Sequence, residues 1–215
     1  MRVFVFILFV LAIPASLAEN PKVTIKTTAG DIEVLLYADR APITVSNFLS
    51  YVDSDAHDKI IFHRVIAGFM IQTGGYYADL QEAEEGETIL NEADNGLKNL
   101  RGTLSMARMN EIDSAGRQFF INASDNASLD HSDESCTRED EKSVAAARAK
   151  GMYKPVTCRT FGYAVFGEVV SGMDVVADIE LVDTEPRGGH GDVPITPVYI
   201  LSIERSEAEA IHILR

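Results

Sequence analysis

The chain has 215 residues, of which 46% are hydrophobic and 24% charged, and a formal net charge of −14. That length suits a single domain with enough apolar side chains to bury a core. The acidic balance excludes a polyanion binder, because counterion-release binding needs clustered Lys and Arg opposite phosphates, so nucleic acid is not an expected partner.

Met1-Arg2 precedes an apolar stretch over 3–13 and then Pro14-Ala15-Ser16-Leu17-Ala18, with small residues at the last and third-last places. This is the pattern of a secretory signal peptide over 1–18, expected to be cleaved after Ala18. A membrane span would need ~20 apolar residues. No second long apolar run follows, so the expected product is exported and has no membrane association after cleavage.

Residues 22–27 alternate apolar and polar, Ala29-Gly30-Asp31 makes a turn and 32–36 continue as a second apolar strand, which predicts a hairpin. After Ala41-Pro42, the residues Val45, Phe48, Leu49 and Val52 fall on one helical face, with Pro42 in the first turn. Strand-like runs follow over 60–66, 69–72, 103–107, 119–122, 163–170 and 198–203, separated by Gly-rich turns that point to a sandwich or barrel. The acidic runs 79–87 and 130–141 read as solvated surface. Residues 138–151 carry acids first, bases last and a Gly stop, which predicts a helix. Met173, Val176, Ala177 and Ile179 suit a further amphipathic helix before a Pro/Gly-rich loop over 186–197, and the tail 206–215 has helix-forming residues without an evident partner.

Two cysteines, Cys136 and Cys158, in a chain expected to be exported predict a disulfide worth on the order of 3 kcal/mol in the chain-entropy model. Two unpaired thiols are the alternative. Neither cysteine has a Cys or His at close ligand spacing, and the five histidines, His57, His63, His131, His190 and His212, show no paired metal spacing, so no metal is expected. There is no Gly-x-Ser-x-Gly elbow to support a hydrolase. Gly188-Gly189-His190-Gly191 lacks the Lys and Ser/Thr of a phosphate loop and reads as a turn, while the glycosylation sequons at Asn122 and Asn126 are inexpensive matches.

The most informative run is Phe62-His63-Arg64-Val65-Ile66-Ala67-Gly68-Phe69-Met70-Ile71-Gln72-Thr73-Gly74-Gly75. It sets one Arg and one Gln on otherwise apolar strand-like sequence with Phe69 and Met70 between them, which describes a small hydrophobic pocket with a guanidinium and an amide at its rim. This run resembles the signature of the cyclophilin family. The resemblance extends through Asn91-Glu92-Ala93, Asn95-Gly96-Leu97-Lys98-Asn99, Arg101-Gly102-Thr103-Leu104-Ser105-Met106-Ala107-Arg108 and Gln118-Phe119-Phe120-Ile121-Asn122, and is strongest to the bacterial branch.

The resemblance implies a mainly β fold, a closed eight-stranded antiparallel barrel capped by two α-helices, spanning residues 19–205. It implies a peptidyl-prolyl cis/trans isomerase that needs no cofactor and acts on proline-containing polypeptides, here exported ones in the periplasm, as a monomer. A non-catalytic proline-peptide binder or chaperone on the same barrel is the alternative. Carried over residue by residue, the resemblance makes Arg64, Gln72, Phe69 and Phe120 catalytic, and His63, Met70, Ala107, Arg108, Leu129 and Tyr163 substrate-binding. Three departures matter. Ser128 stands where the family has an aromatic, which implies a thinner pocket wall or one supplied by the insertion, and weak binding of cyclosporin-like ligands. Thr73 stands where a small residue is usual. The segment 130–160 is longer than the bacterial pattern, an inserted helical excursion expected beside the groove, with Cys136 and Cys158 stapling its base.

Overall fold

A computed structural model describes residues 20–132, 134–152 and 158–206, and the side chains of 158 and 159 lie outside the description. The expected signal peptide over 1–18 and the tail beyond 206 fall outside the described residues.

The chain opens with β1 (Lys22–Thr27) and β2 (Gly30–Leu36), whose alternate residues Val23, Ile25, Ile32, Val34 and Leu36 are fully buried. The turn between them is closed by the Thr27 hydroxyl, which accepts from the amides of Ala29 and Gly30 at 3.0 and 3.1 Å and donates to the Gly30 carbonyl at 2.7 Å. Helix α1 (Pro42–Asp53) buries Thr44, Val45, Phe48, Leu49 and Val52. Its N-cap, Ala41, has no side chain to offer. Glu92 supplies the cap from a distant loop, its carboxylate accepting from the amides of Ile43 and Thr44 at 3.1 and 2.8 Å and from the Thr44 hydroxyl at 2.7 Å, where the positive end of a helix favours an anion.

β3 (Arg64–Ile66) and β4 (Met70–Thr73) form a hairpin, followed by β5 (Thr103–Met106), β6 (Phe119–Asn122), α2 (Arg138–Ala149), β7 (Val165–Ser171), α3 (Met173–Glu180), β8 (Thr184–Arg187), β9 (His190–Pro194) and β10 (Ile200–Arg205). Eight of these strands make one antiparallel sheet in the order β10-β1-β2-β7-β5-β6-β4-β3. The expected closed barrel is only partly realised. The edges β10 and β3 do not share a ladder. They are joined by the segments that lead into them, through an isolated bridge between Ile61 and Tyr199 and hydrogen bonds from Phe62 to Val198 and from Ile200 to Ile60.

The curled sheet encloses an apolar core in which Phe48 of α1 meets the rings of Phe119 and Phe166, each with centroids 5.3 Å away. Helix α3 adds Val176 and Ile179. The loop expected over 186–197 is instead the hairpin β8–β9, which packs against β3. Cys136 is half-buried, and the expected bridge from it to Cys158 falls outside the described residues, because the Cys158 side chain is not among them.

Candidate active site

Strand register brings the site together. Arg64 on β3 pairs with Gln72 on β4, Gln72 with Phe120 on β6, and Phe120 with Ser105 on β5. Directly opposed residues share a face of the sheet, so Arg64, Gln72 and Phe120 stand in one row on the side away from the core, while Ile71, Phe119 and Ile121 point into it. β4, β5 and β6 are buried on both faces for this reason.

Beside that row is a pocket of about 120 Å³ lined by Arg64, Phe69, Met70, Gln72, Ala107, Arg108, Phe120, Leu129 and Tyr163. Nine of the ten residues singled out from the sequence thus converge on one small cavity. The tenth, His63, is not among its lining residues. Instead it borders an adjoining space of about 250 Å³ that shares Arg64, Gln72, Ala107 and Arg108 with the first and adds Tyr76, Glu82, Glu85, Met109, Ser114, Gly116, Gln118 and His190.

The rim of the pocket is polar and relayed. The Arg64 guanidinium donates to the Gln72 Oε1 at 3.4 Å, Gln72 Nε2 donates to Gln118 Oε1 at 3.1 Å, and Gln118 Nε2 to Glu85 Oε1 at 3.2 Å. On its other side Arg64 Nε lies 3.9 Å from Asp192 of β9, with both side chains about 40% exposed. Such a contact contributes little to stability, yet it places a carboxylate behind the guanidinium. No hydrogen bond holds Arg64 Nη2 among the described residues.

The floor of the pocket is fixed by a buried amide network. Asn122 Nδ2 donates to Thr103 Oγ1 at 2.9 Å, Asn126 Nδ2 donates to Asn122 Oδ1 at 2.7 Å and to the Phe69 carbonyl at 2.9 Å, and the Leu129 amide donates to the Asn126 carbonyl at 2.8 Å. Asn122 and Asn126 therefore hold the loops that carry Phe69 and Leu129. At 0% and 8% exposure they are structural amides rather than glycan acceptors.

The side chain of Arg108 builds the far wall of the pocket. Its guanidinium lies 4.9 Å over the Tyr163 ring and donates to the Gly162 carbonyl at 2.9 Å and to the carbonyls of Met109, Asn110 and Glu111 at 2.9, 3.3 and 3.4 Å. Tyr163 in turn meets Phe120 edge to face at 5.8 Å. Ser128 is exposed and lines neither cavity, and no described residue of 131–160 lines them either, so the wall is made by Leu129, Tyr163 and Arg108 rather than by the insertion. Thr73 is fully buried, its hydroxyl donating to the Ile61 carbonyl at 2.9 Å.

Gln118, Glu85, Asp192 and His190 belong to the site and were not read from the sequence. Gln118 had a usable signal: it lies two residues before Phe120 and so shares its face. The acidic run 79–87 is correspondingly more than solvated surface, since Glu82 and Glu85 line the second cavity. His63 is 2% exposed, and burial, followed by the nearby His190, lowers its pKa to about 4, so the ring is neutral near pH 7. Among the described residues no group of three or more His, Cys, Asp or Glu side chains is arranged to hold a metal ion.

Residues 22–205 match the family model of the cyclophilin type peptidyl-prolyl cis-trans isomerase/CLD. The chain is 46% identical to peptidyl-prolyl cis-trans isomerase A of Dickeya dadantii over 84% of this chain and 82% of that one. It is 43% identical to a peptidyl-prolyl cis-trans isomerase of Acinetobacter baylyi, covering 90% of both, and 45% identical to peptidyl-prolyl cis-trans isomerase B of Escherichia coli over 86% of this chain and 99% of that one. Among solved structures, a cyclophilin type isomerase of Cryptosporidium parvum superimposes with a TM-score of 0.65 at 24% identity, covering 88% of this chain and 99% of that one, and the same protein studied in the presence of the dipeptide Ala-Pro gives 0.64. The likeness to the solved structures carries the fold, the matches in sequence carry the rest, and the chain belongs to the cyclophilin-type peptidyl-prolyl cis-trans isomerases.

Proposed function

We propose that this isomerase accelerates rotation about X-Pro bonds in exported polypeptides and so assists their folding, in the periplasm, as a monomer without metal or cofactor. The apolar 3–13 stretch with its small-residue exit supports export. In that compartment Cys136 and Cys158 would be oxidised to a disulfide.

Rotation about the prolyl bond faces a barrier of about 18–20 kcal/mol because the C–N bond has partial double-bond character. No bond needs to be made or broken. In the twisted state resonance is lost and the nitrogen lone pair becomes an acceptor, which a guanidinium can serve far better than it serves the planar amide. Arg64 takes that role. Phe69, Met70, Phe120 and Leu129 hold the ring, Tyr163 and the stacked Arg108 close the far side, and Gln72 orients substrate backbone through its amide. The neutral, buried His63 has no proton to move in this scheme and acts as the wall of the second cavity. The Ala-Pro dipeptide present with the Cryptosporidium parvum protein is the chemistry the small cavity would accept here.

The observation that carries the reading is the single row of Arg64, Gln72 and Phe120 beside a small pocket walled by Phe69, Met70, Leu129 and Tyr163. The test is the cis-to-trans rate of a short Ala-Pro peptide with the wild-type protein and with Arg64→Ala. Loss of about a hundredfold or more in kcat/KM with an unchanged circular dichroism spectrum is expected. Equal rates would remove Arg64 from the mechanism. Peptide binding by the wild type with no acceleration would make the chain a proline-peptide binder.

A further inference from the structure

The inserted helix lines neither cavity and works one layer behind them. Its start is fixed by a capping box: the Thr137 hydroxyl accepts from the Asp140 amide at 3.2 Å, and the Asp140 carboxylate accepts from the Thr137 amide at 2.8 Å. Arg138, the first helical residue, donates to the Asp113 carboxylate from both Nε and Nη2 at 2.9 Å and to the Asn91 carbonyl at 2.9 Å, with its guanidinium 5.0 Å over the Phe161 ring. One turn on, Glu141 accepts from the Ile112 amide at 2.7 Å. Asp113 extends the grip by accepting from the Asn91 amide at 2.8 Å. Beneath these bonds Ile112, fully buried, packs with Ala93, Phe161 and Ala164.

Two oppositely charged side chains on one face of α2 therefore hold two consecutive residues of the 109–114 loop. Among the described residues 109–114 have no strand partner, the isolated Ile89–Ala115 bridge coming only after them, and such a loop is fixed only as well as its side-chain bonds fix it. Yet the loop carries Met109 and Ser114 of the second cavity, and its carbonyls hold the Arg108 guanidinium that walls the first. We propose that the inserted helix is a strap for this rim and that Arg138 is a positioning residue, which through Asp113 keeps the rim in place for the part of a peptide substrate that extends past the proline pocket into the second cavity. The strap rests on geometry alone, and the positioning role rests also on the isomerase reading.

The test pairs amide hydrogen exchange with kinetics on the full chain, for the wild type, Arg138→Ala and Arg138→Lys. In Arg138→Ala, exchange at the Ile112 and Asn91 amides should rise by about tenfold or more while the Ile121 amide in the core strand is unchanged. Arg138→Lys, which keeps the charge but loses the planar fork, should recover only part of the protection. For a peptide with several residues flanking its proline, KM should rise about fivefold in Arg138→Ala with kcat within about twofold, and a bare Ala-Pro peptide should change less than about twofold. Should Arg138→Ala fail to fold, Asp113→Asn and Glu141→Gln read the same two amides. Unchanged exchange at both amides overturns the strap. Faster exchange with an unchanged KM for the flanked peptide overturns the positioning role. A wild type that accelerates neither peptide overturns the isomerase reading and the positioning role with it, while the exchange data still decide the strap.

Discussion

Arg64 is held by a 3.4 Å bond to Gln72 and a 3.9 Å contact to Asp192, both too long to fix a guanidinium tightly. In the proposed mechanism this looseness is useful, since a guanidinium already committed to a short bidentate pair would have to break it to serve a twisted prolyl nitrogen. The weight of orientation falls on Gln72, which is itself anchored by Gln118 and, beyond it, by Glu85. The relay makes a specific prediction. Gln118→Leu keeps the volume and the face but removes both amide bonds, so Gln72 loses the partner that fixes its flip. A fall of about threefold to tenfold in kcat/KM for Ala-Pro peptides is expected, with unfolding free energy changed by less than about 1 kcal/mol. A variant with full kcat/KM would show that Gln72 is oriented without its neighbour.

Among elements, α1 shows how a distant residue can decide whether a helix starts. Ala41 cannot cap, Pro42 removes one amide donor, and Glu92 serves the amides of Ile43 and Thr44 along with the Thr44 hydroxyl. Glu92→Ala would leave those donors, among them the fully buried Thr44, without an acceptor, and about 2 kcal/mol of stability should be lost in urea unfolding. The isomerase rate per folded molecule should stay the same, because α1 lies across the sheet from the pocket; a loss of less than about 0.5 kcal/mol would mean that water caps the helix as well. The face pattern of α1, the β1–β2 hairpin and the strands of the row were legible in the sequence because each buries one side, or both, and so writes a period into its apolar residues. The β8–β9 hairpin was not. Thr184, Glu185 and Pro186 are exposed and His190 and Asp192 only half-buried, so no apolar alternation marks the strands, and only the Gly188-Gly189 turn, with φ of 59° and 88°, was visible. Asp192 and His190 reach the site on that hairpin, which is why neither could be read from the sequence. Arg64, Gln72 and Phe120 could be named by resemblance, but their common row follows from a register that no local pattern specifies.

Across the whole molecule, the core and the site each hold a buried histidine that the fold keeps neutral. His57 is 1% exposed among Phe48, Tyr51 and Phe119, neither ring nitrogen has a hydrogen-bond partner, and burial, aided by the nearby Arg117, lowers its pKa from 6.5 to about 3. Arg117 is itself buried, donating to the carbonyls of Glu84 and Ala56 beneath the Tyr51 ring, so the positive charge beside His57 is held in place. His63 has the same direction of shift, to about 4. In the unfolded chain both imidazoles take up a proton near pH 6.5, and in the folded chain they resist it. The unfolded state therefore binds more protons between those limits, and stability is full above pH 6.5 and falls as pH drops through 6.5 toward 4 for His63 and toward 3 for His57. Asp113, raised by burial but lowered more by its bonds from Arg138 and the Asn91 amide, works in the same sense only below the ordinary carboxylate range, so the window from pH 6.5 to 5 belongs to the histidines. Urea unfolding at pH 7 and pH 5 should show a loss of about 3 kcal/mol for the wild type and about half that for His57→Leu, a change that matches the ring in volume and cannot take up a proton. A variant that loses as much as the wild type would place the acid sensitivity elsewhere in the fold, and a wild type that loses nothing would mean that both rings find water or a partner once protonated.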